Sequence, residues 1–130
     1  MGQQQLLLIV LGVIIVGIAV VVGINVFTAS SVQANSDALI ADCTNLASMA
    51  QQYYRKPAAL GGGGNTFTGW TVPANLSQTG NMSAAVTATV DAQQVTLVAT
   101  GTEDKAAGGA KITVTMVVGP NSIISTTPAL

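Results

Sequence analysis

Leu6–Ile24, LLLIVLGVIIVGIAVVVGI, holds nineteen residues without a charged or polar side chain. A helix of that length spans roughly 28 Å, close to the hydrocarbon thickness of a bilayer. Something must remove this segment from water: lipid, a signal peptidase, or other copies of itself. The residues around it decide among the three.

On its N-terminal side, Met1-Gly2-Gln3-Gln4-Gln5 carries no Lys or Arg, and the first charged residue of the chain is Asp37. A secretory signal needs a positive n-region, a short apolar core and a small-residue cleavage site. Val32-Gln33-Ala34 has suitable residue types for cleavage, but it lies well beyond an apolar run already too long for a signal peptide. The segment is therefore expected to stay on the chain. If it is an ordinary single-span anchor, no flanking charge sets its orientation.

On the C-terminal side no Gly or Pro interrupts the chain before Pro57, so one helix is expected to continue through residues 25–57. Thr28, Ser30 and Ser31 loosen it by offering hydroxyls to nearby carbonyls. From there Val32, Ser36, Leu39, Cys43, Leu46, Ala50 and Tyr53 recur in alternating steps of four and three, and Ile40, Ala47 and Tyr54 widen the stripe. Asp37, Thr44, Asn45, Ser48, Gln51, Gln52 and Arg55 fall mostly off it, the pattern of an amphipathic helix. Arg55 and Lys56 complement the C-terminal end of the helix dipole, and Pro57 stops the helix. The helix as a whole would run for about 80 Å, far longer than a small globular domain needs.

Beyond Pro57 the pattern changes. Gly61–Gly64 lacks the Gly-Lys-Ser/Thr ending of a phosphate loop and reads as a flexible connector within residues 58–81. Thr66–Trp70 is expected to add a short strand, or a loop whose Phe67 and Trp70 cover a sheet edge. In residues 82–130 a two-residue period takes over. Ala84–Val90 puts Val86, Ala88 and Val90 on one face and Thr87 and Thr89 on the other, and Val95–Thr100 and Lys111–Val118 repeat the alternation. Asp91–Gln94 suits a hairpin turn, Gly101–Gly109 a longer loop, and Ser122–Thr126 a last edge strand. The expected fold class is α+β: a long N-terminal helix, hydrophobic in residues 1–24 and amphipathic in residues 25–57, packed against a small antiparallel β-sheet head.

Composition narrows function mainly by exclusion. The 130 residues allow one small domain besides the apolar segment, and only 7% are charged, with net charge −1. Arg55, Lys56, Lys105 and Lys111 are the only basic residues, too few for a stripe that tracks phosphates, so no nucleic-acid partner is expected. Cys43 is the single cysteine, which precludes an intrachain disulfide; its place on the apolar stripe suits a small buried hydrophobe. Histidine is absent, and no ligand cluster or nucleophile–base pair can be recognised. Neither catalysis, a metal nor a cofactor is expected. Glu103, Asp104 and Lys105 read as a solvated hairpin tip, and Tyr53 and Tyr54 as packing residues. Asn75-Leu-Ser77 and Asn81-Met-Ser83 match the short N-glycan acceptor pattern, making Asn75 and Asn81 candidate modification sites.

The polar start, Gln5 followed by Leu6-Leu7-Leu8-Ile9-Val10, and the Gly-punctuated Ile/Val run to residue 24 together resemble the N-terminal segment of type IV pilins and their relatives. The likeness covers residues 1 to about 55 in pattern and only the architecture thereafter. It implies a pilin-like fold and a structural subunit that is held in the membrane as a monomer and then polymerises through its N-terminal helix into an extracellular, cell-surface filament. It also implies a membrane assembly platform, an ATPase and a prepilin peptidase as partners. Two positions depart from the family. Gln5 stands where a glutamate usually pairs with a neighbour's N-terminal amine, and Val22 stands where a helix-loosening proline is common. Met1 and Gln5 are thus the expected assembly residues at the N-terminus, with Gln3 as the first mature residue if cleavage follows Gly2. Gly12, Gly17, Ala19 and Gly23 are the small residues expected to admit close helix packing. Within the same architecture, the alternatives are a minor pilin or a secretion-system pseudopilin; an archaeal-type adhesion filament is a further reading. A single-span, membrane-anchored binding module is the rival from another class.

Overall fold

The computed structural model describes residues 2–105 and 108–130. One helix, α1, runs Gly2–Arg55, followed by a single 3-10 turn at Ala58–Leu60 and four strands: β1 Met82–Val90, β2 Val95–Asp104, β3 Lys111–Val118 and β4 Ile123–Ala129. The strands form one antiparallel sheet in the order β1-β2-β3-β4. The fold is α+β, with a long helix whose C-terminal part packs against the sheet. Contacts divide the chain into two compact units, 1–31 and 32–130.

The core of the second unit is built from two matching periodicities. The stripe on α1 buries Val32, Ser36, Leu39, Cys43, Leu46, Ala47 and Ala50. Alternation on β2 and β3 buries Val95, Leu97 and Ala99, then Ile112, Val114, Met116 and Val118, against that stripe. A period of 3.6 on the helix and 2 on the strands brings two apolar faces together, and each fully buried Leu, Ile or Met contributes about 1.5–3 kcal/mol. The opposite sheet face carries Thr87, Thr89, Thr96, Thr100, Thr113 and Thr115, all exposed or half-buried.

Loops differ from the sequence expectation in three places. Phe67 and Trp70 lie in a loop, but they are buried in the core instead of trimming an edge; the Phe67 ring stacks at 41° on Tyr54, centroids 4.8 Å apart. The second is the glycine run, which folds back on the helix end. Gly63, Gly64 and Asn65 donate to the carbonyls of Tyr53, Lys56 and Tyr54 at 2.8, 3.0 and 2.8 Å. These are carbonyls that the last turn of a helix leaves without partners, so the run acts as a C-terminal cap rather than a free connector. Third, β2 continues through Gly101–Asp104, residues expected in a loop, because Lys111 pairs with Asp104 after a register shift. Ala106 and Ala107 of that expected loop lie outside the described residues. The last strand also extends past the expected Thr126 to Ala129.

Candidate functional site

The first unit, 1–31, is described only by its helix. From Leu6 to Phe27 every large apolar side chain is exposed, from 52% at Ile14 to 73% at Phe27. That exposure extends all the way round the helix. A helix apolar all round needs an apolar surrounding, such as a membrane or a bundle of other helices. The helix is long and apolar enough to cross a membrane. Thr28 Oγ1 donates to Ile24 O at 2.9 Å, the local back-bonding expected where the apolar run gives way to polar residues.

Among the small residues singled out from sequence, Gly12, Ala19 and Gly23 fall on one stripe of this helix, being seven and four residues apart. Gly17 points about 140° away from Gly12 at 100° per residue. A Cβ added at Gly12, Gly17 or Gly23 would touch nothing within 4 Å. Gln5 is exposed in the first turns of α1; Met1 lies outside the described residues.

In the second unit, polar groups tie α1 to the sheet and loops. The sequence stripe omitted Asn35, yet it is 92% buried with both its amide nitrogen and its amide oxygen hydrogen-bonded. Its Nδ2 donates to Asn81 O at 2.9 Å, and its Oδ1 accepts from the Thr102 and Glu103 amides at 3.1 and 3.3 Å. Those amides sit inside the register shift between β2 and β3, where the ladder leaves them free. Gly101 beside them can carry no side chain, because a Cβ would collide with Asn35 Oδ1 and lie 2.5 Å from Ile112 Cγ1. Further along α1, Asp42 Oδ2 accepts from Thr79 Oγ1 at 2.8 Å, and Gln51 Nε2 donates to Gly119 O at 3.2 Å. Gln51, expected off the buried stripe, is thus half-buried at its margin. Tyr53 and Tyr54 hydroxyls donate to Thr68 O and Gln93 Oε1 at 2.9 and 3.1 Å, and Arg55 Nη2 reaches Asn121 Oδ1 at 3.4 Å. A periodicity count cannot find such contacts, since each depends on which loop passes over that position.

Reactive chemistry is sparse. Cys43 is buried without exposure, and burial, helped by the Asp42 charge, pushes its thiol up to about 11. A thiol held protonated is a poor nucleophile. Among the described residues no group of three or more His, Cys, Asp or Glu could hold a metal ion. The Lys111–Asp104 ion pair, 2.9 Å long, is solvent-exposed and contributes at most about 1 kcal/mol. Asn75 and Asn81 are exposed in the segment before β1; Asn81 has its backbone N–H on Thr79 Oγ1 and its carbonyl on Asn35, whereas Asn75 lies in a turn closed by Leu76 N–H to Pro73 O. No family model matches the chain, and no curated protein or solved structure is significantly similar to it.

Proposed function

We propose that this chain is the structural subunit of an extracellular helical filament and that it polymerises through its N-terminal helix. The observation that carries the reading is the exposure of every large apolar side chain from Leu6 to Phe27 beside a head whose own core is complete. The bilayer holds this helix in the monomer, and other copies of the helix cover it in the polymer. Because lipid tails and Leu/Ile/Val side chains are similarly apolar, the transfer is driven by packing more than by the hydrophobic effect. Small residues on one stripe, Gly12, Ala19 and Gly23, let neighbouring helices approach. A repeated heterologous contact that does not close on itself generates a helix of subunits. The resemblance to type IV pilins adds the assembly platform, ATPase and prepilin peptidase as partners and the cell surface as destination. Minor pilin and pseudopilin roles use the same contact in smaller copy number.

Electron microscopy of sheared surface material, with mass spectrometry of its main component, tests the proposal. Filaments made of this chain are the expected result. Recovery of the chain solely from membrane fractions sinks it and favours the second reading, a membrane-anchored binding module, which the same apolar helix also supports. The spectrum also reports whether Met1 or Gln3 begins the mature chain.

A further inference from the structure

We infer that neighbouring copies lie along one another offset by about 27 Å, with Asp37 of one copy paired to Arg55 of the next. The inference rests on the filament reading and specifies one of its contacts. Asp37 and Arg55 are both exposed on α1, eighteen residues apart. Eighteen residues are five full turns at 3.6 residues per turn, so the two charges look out along one line of the helix. Leu46, nine residues from each, faces the opposite way into the core and is 1% exposed. The line is therefore on the side of α1 turned away from the sheet. Between the two charges it carries Ala41, Thr44 and Ser48, all exposed, uncharged and short. Thr44 Oγ1 donates to Ile40 O at 2.7 Å and Ser48 Oγ to Thr44 O at 3.1 Å, so both hydroxyls turn back onto the helix.

Neither charge is neutralised by the rest of its own chain. Asp37 Oδ1 accepts from Gln33 Nε2 at 3.0 Å and Arg55 Nη2 donates to Asn121 Oδ1 at 3.4 Å, both partners being neutral amides. Among the described residues the ion pair is Lys111–Asp104, within the sheet. Asp42, the other acid of α1, lies about 140° round the helix from Asp37, where it accepts from Thr79. Lys56 follows Arg55 and adds to the positive end. The open face of α1 is thus negative at one end, positive at the other and neutral between.

Such a face complements a second copy of itself, but only out of step. Two parallel copies at one level set Asp37 against Asp37 and Arg55 against Arg55, which like-charge repulsion disfavours. Sliding one copy eighteen residues along the other replaces both repulsions with one Asp37–Arg55 pair. It leaves an Asp37 free at one end and an Arg55 at the other, which the next copies take in the same way, a heterologous contact that does not close. Copies set about a common axis, this face inward and sheets outward, can each pair once above and once below. An antiparallel pair also matches the charges, but copies in a filament with one direction, or anchored by one segment in one membrane, run the same way. A partner of a single charge sign would be repelled at one end of the face. A second copy is therefore the occupant that the charges select. An exposed pair adds little strength and is screened by salt. Its effect is on register: apolar helices adhere at many offsets, and the charges favour one of them. In the bilayer, where copies are level, the same charges keep them apart.

The test uses the full chain with Cys43→Ala as background. Ser30 and Ser48, both exposed on α1, are also eighteen residues apart. Filaments of a chain carrying Ser30→Cys and Ser48→Cys, treated with a short bis-maleimide, are expected to give a ladder of dimers, trimers and longer chains. Either single variant is expected to give none. Arg55→Asp, which sets like charges opposite each other, should cut filament yield about tenfold. Adding Asp37→Arg restores opposite signs and should bring back at least about half of the parent yield without raising the head's unfolding midpoint. The offset is overturned by filaments whose double cysteine variant gives no ladder, or whose single variants cross-link as well as the double. It is equally overturned if Arg55→Asp leaves the yield unchanged, or if Asp37→Arg restores the yield only together with the midpoint. A chain recovered solely from membranes sinks the filament reading and the offset with it; filaments without the ladder sink the offset alone.

Discussion

Asn35 shows how one amide can hold a helix to a bulged sheet. It satisfies two strand amides and one loop carbonyl that the ladders leave free. Asn35→Ala leaves all three without that partner at the half-buried margin of helix and sheet and should cost about 1–3 kcal/mol, read as a lower urea midpoint for the full chain in micelles. One residue along, Ser36 is 1% exposed and its Oγ has no partner among the described residues. Ser36→Ala removes a desolvated hydroxyl at nearly constant volume, so the same titration should show equal or higher stability. Cys43 adds a pH dependence. Its thiol rises from 9.0 to about 11 on folding, so below about pH 9 it is protonated in both states and contributes no slope. Between those values the unfolded chain loses the proton that the folded one keeps, and stability falls as pH rises, by up to about 1.4 kcal/mol per unit. Cys43→Ala should flatten that part of the profile when stability is compared with the parent from pH 8 to 11.

At the scale of elements, the glycine run and the apolar helix show two uses of the same residue. In the run, glycine is needed because backbones come close: a Cβ at Gly63 would collide with Thr66 O and lie 2.8 Å from the Tyr53 ring. Gly63→Ala should therefore destabilise the head by about 1–3 kcal/mol, whereas Gly80→Ala, with nothing within 4 Å and an ordinary φ, should stay within about 0.5 kcal/mol. Thermal unfolding followed by near-ultraviolet circular dichroism distinguishes the two. In α1 a Cβ at Gly12, Gly17 or Gly23 would meet nothing within 4 Å among the described residues, and their use is expected between chains. Bulky residues at Gly12 or Gly23 should reduce filament yield without changing the unfolding midpoint of the head, a combination visible by pairing microscopy with denaturation.

For the whole molecule, the division at residues 31 and 32 separates a head with its own core from a helix with none. The core residues of the head begin at Val32, so a fragment spanning 29–130 should be soluble and unfold cooperatively, as circular dichroism would report. Val16→Asp in the full chain leaves that core untouched but places an ion within the apolar helix. At the centre of a membrane such a charge costs about 2.5–3.5 kcal/mol or more, and in a helix bundle it has no partner. Filament yield should fall to background with the head still folded; normal yield would count against a polymer core made of this helix.

The apolar run, the stripe on α1 and the strand alternation were legible because each is a local repeat, and burying a repeat needs only a second apolar face. Those patterns alone determined an α+β chain with a long helix and an antiparallel sheet, and they placed Leu39, Cys43, Leu46 and Val114 in the core without any knowledge of their neighbours. Tertiary structure decided what depends on residues far apart in sequence. It made Gly61–Gly64 a helix cap, carried β2 on through Gly101–Asp104, buried Asn35 between residues 46 and 68 positions away, and brought Ser77 onto the outer side of β1 at Val86. Backbone groups must find partners wherever they are buried, and which partner is in reach follows from how the loops return, not from any local period. Leu6–Ile24 is apolar by sequence; that the head completes its own core from Val32 onward was decided by the tertiary structure, because the α1 stripe finds its apolar partner in β2 and β3.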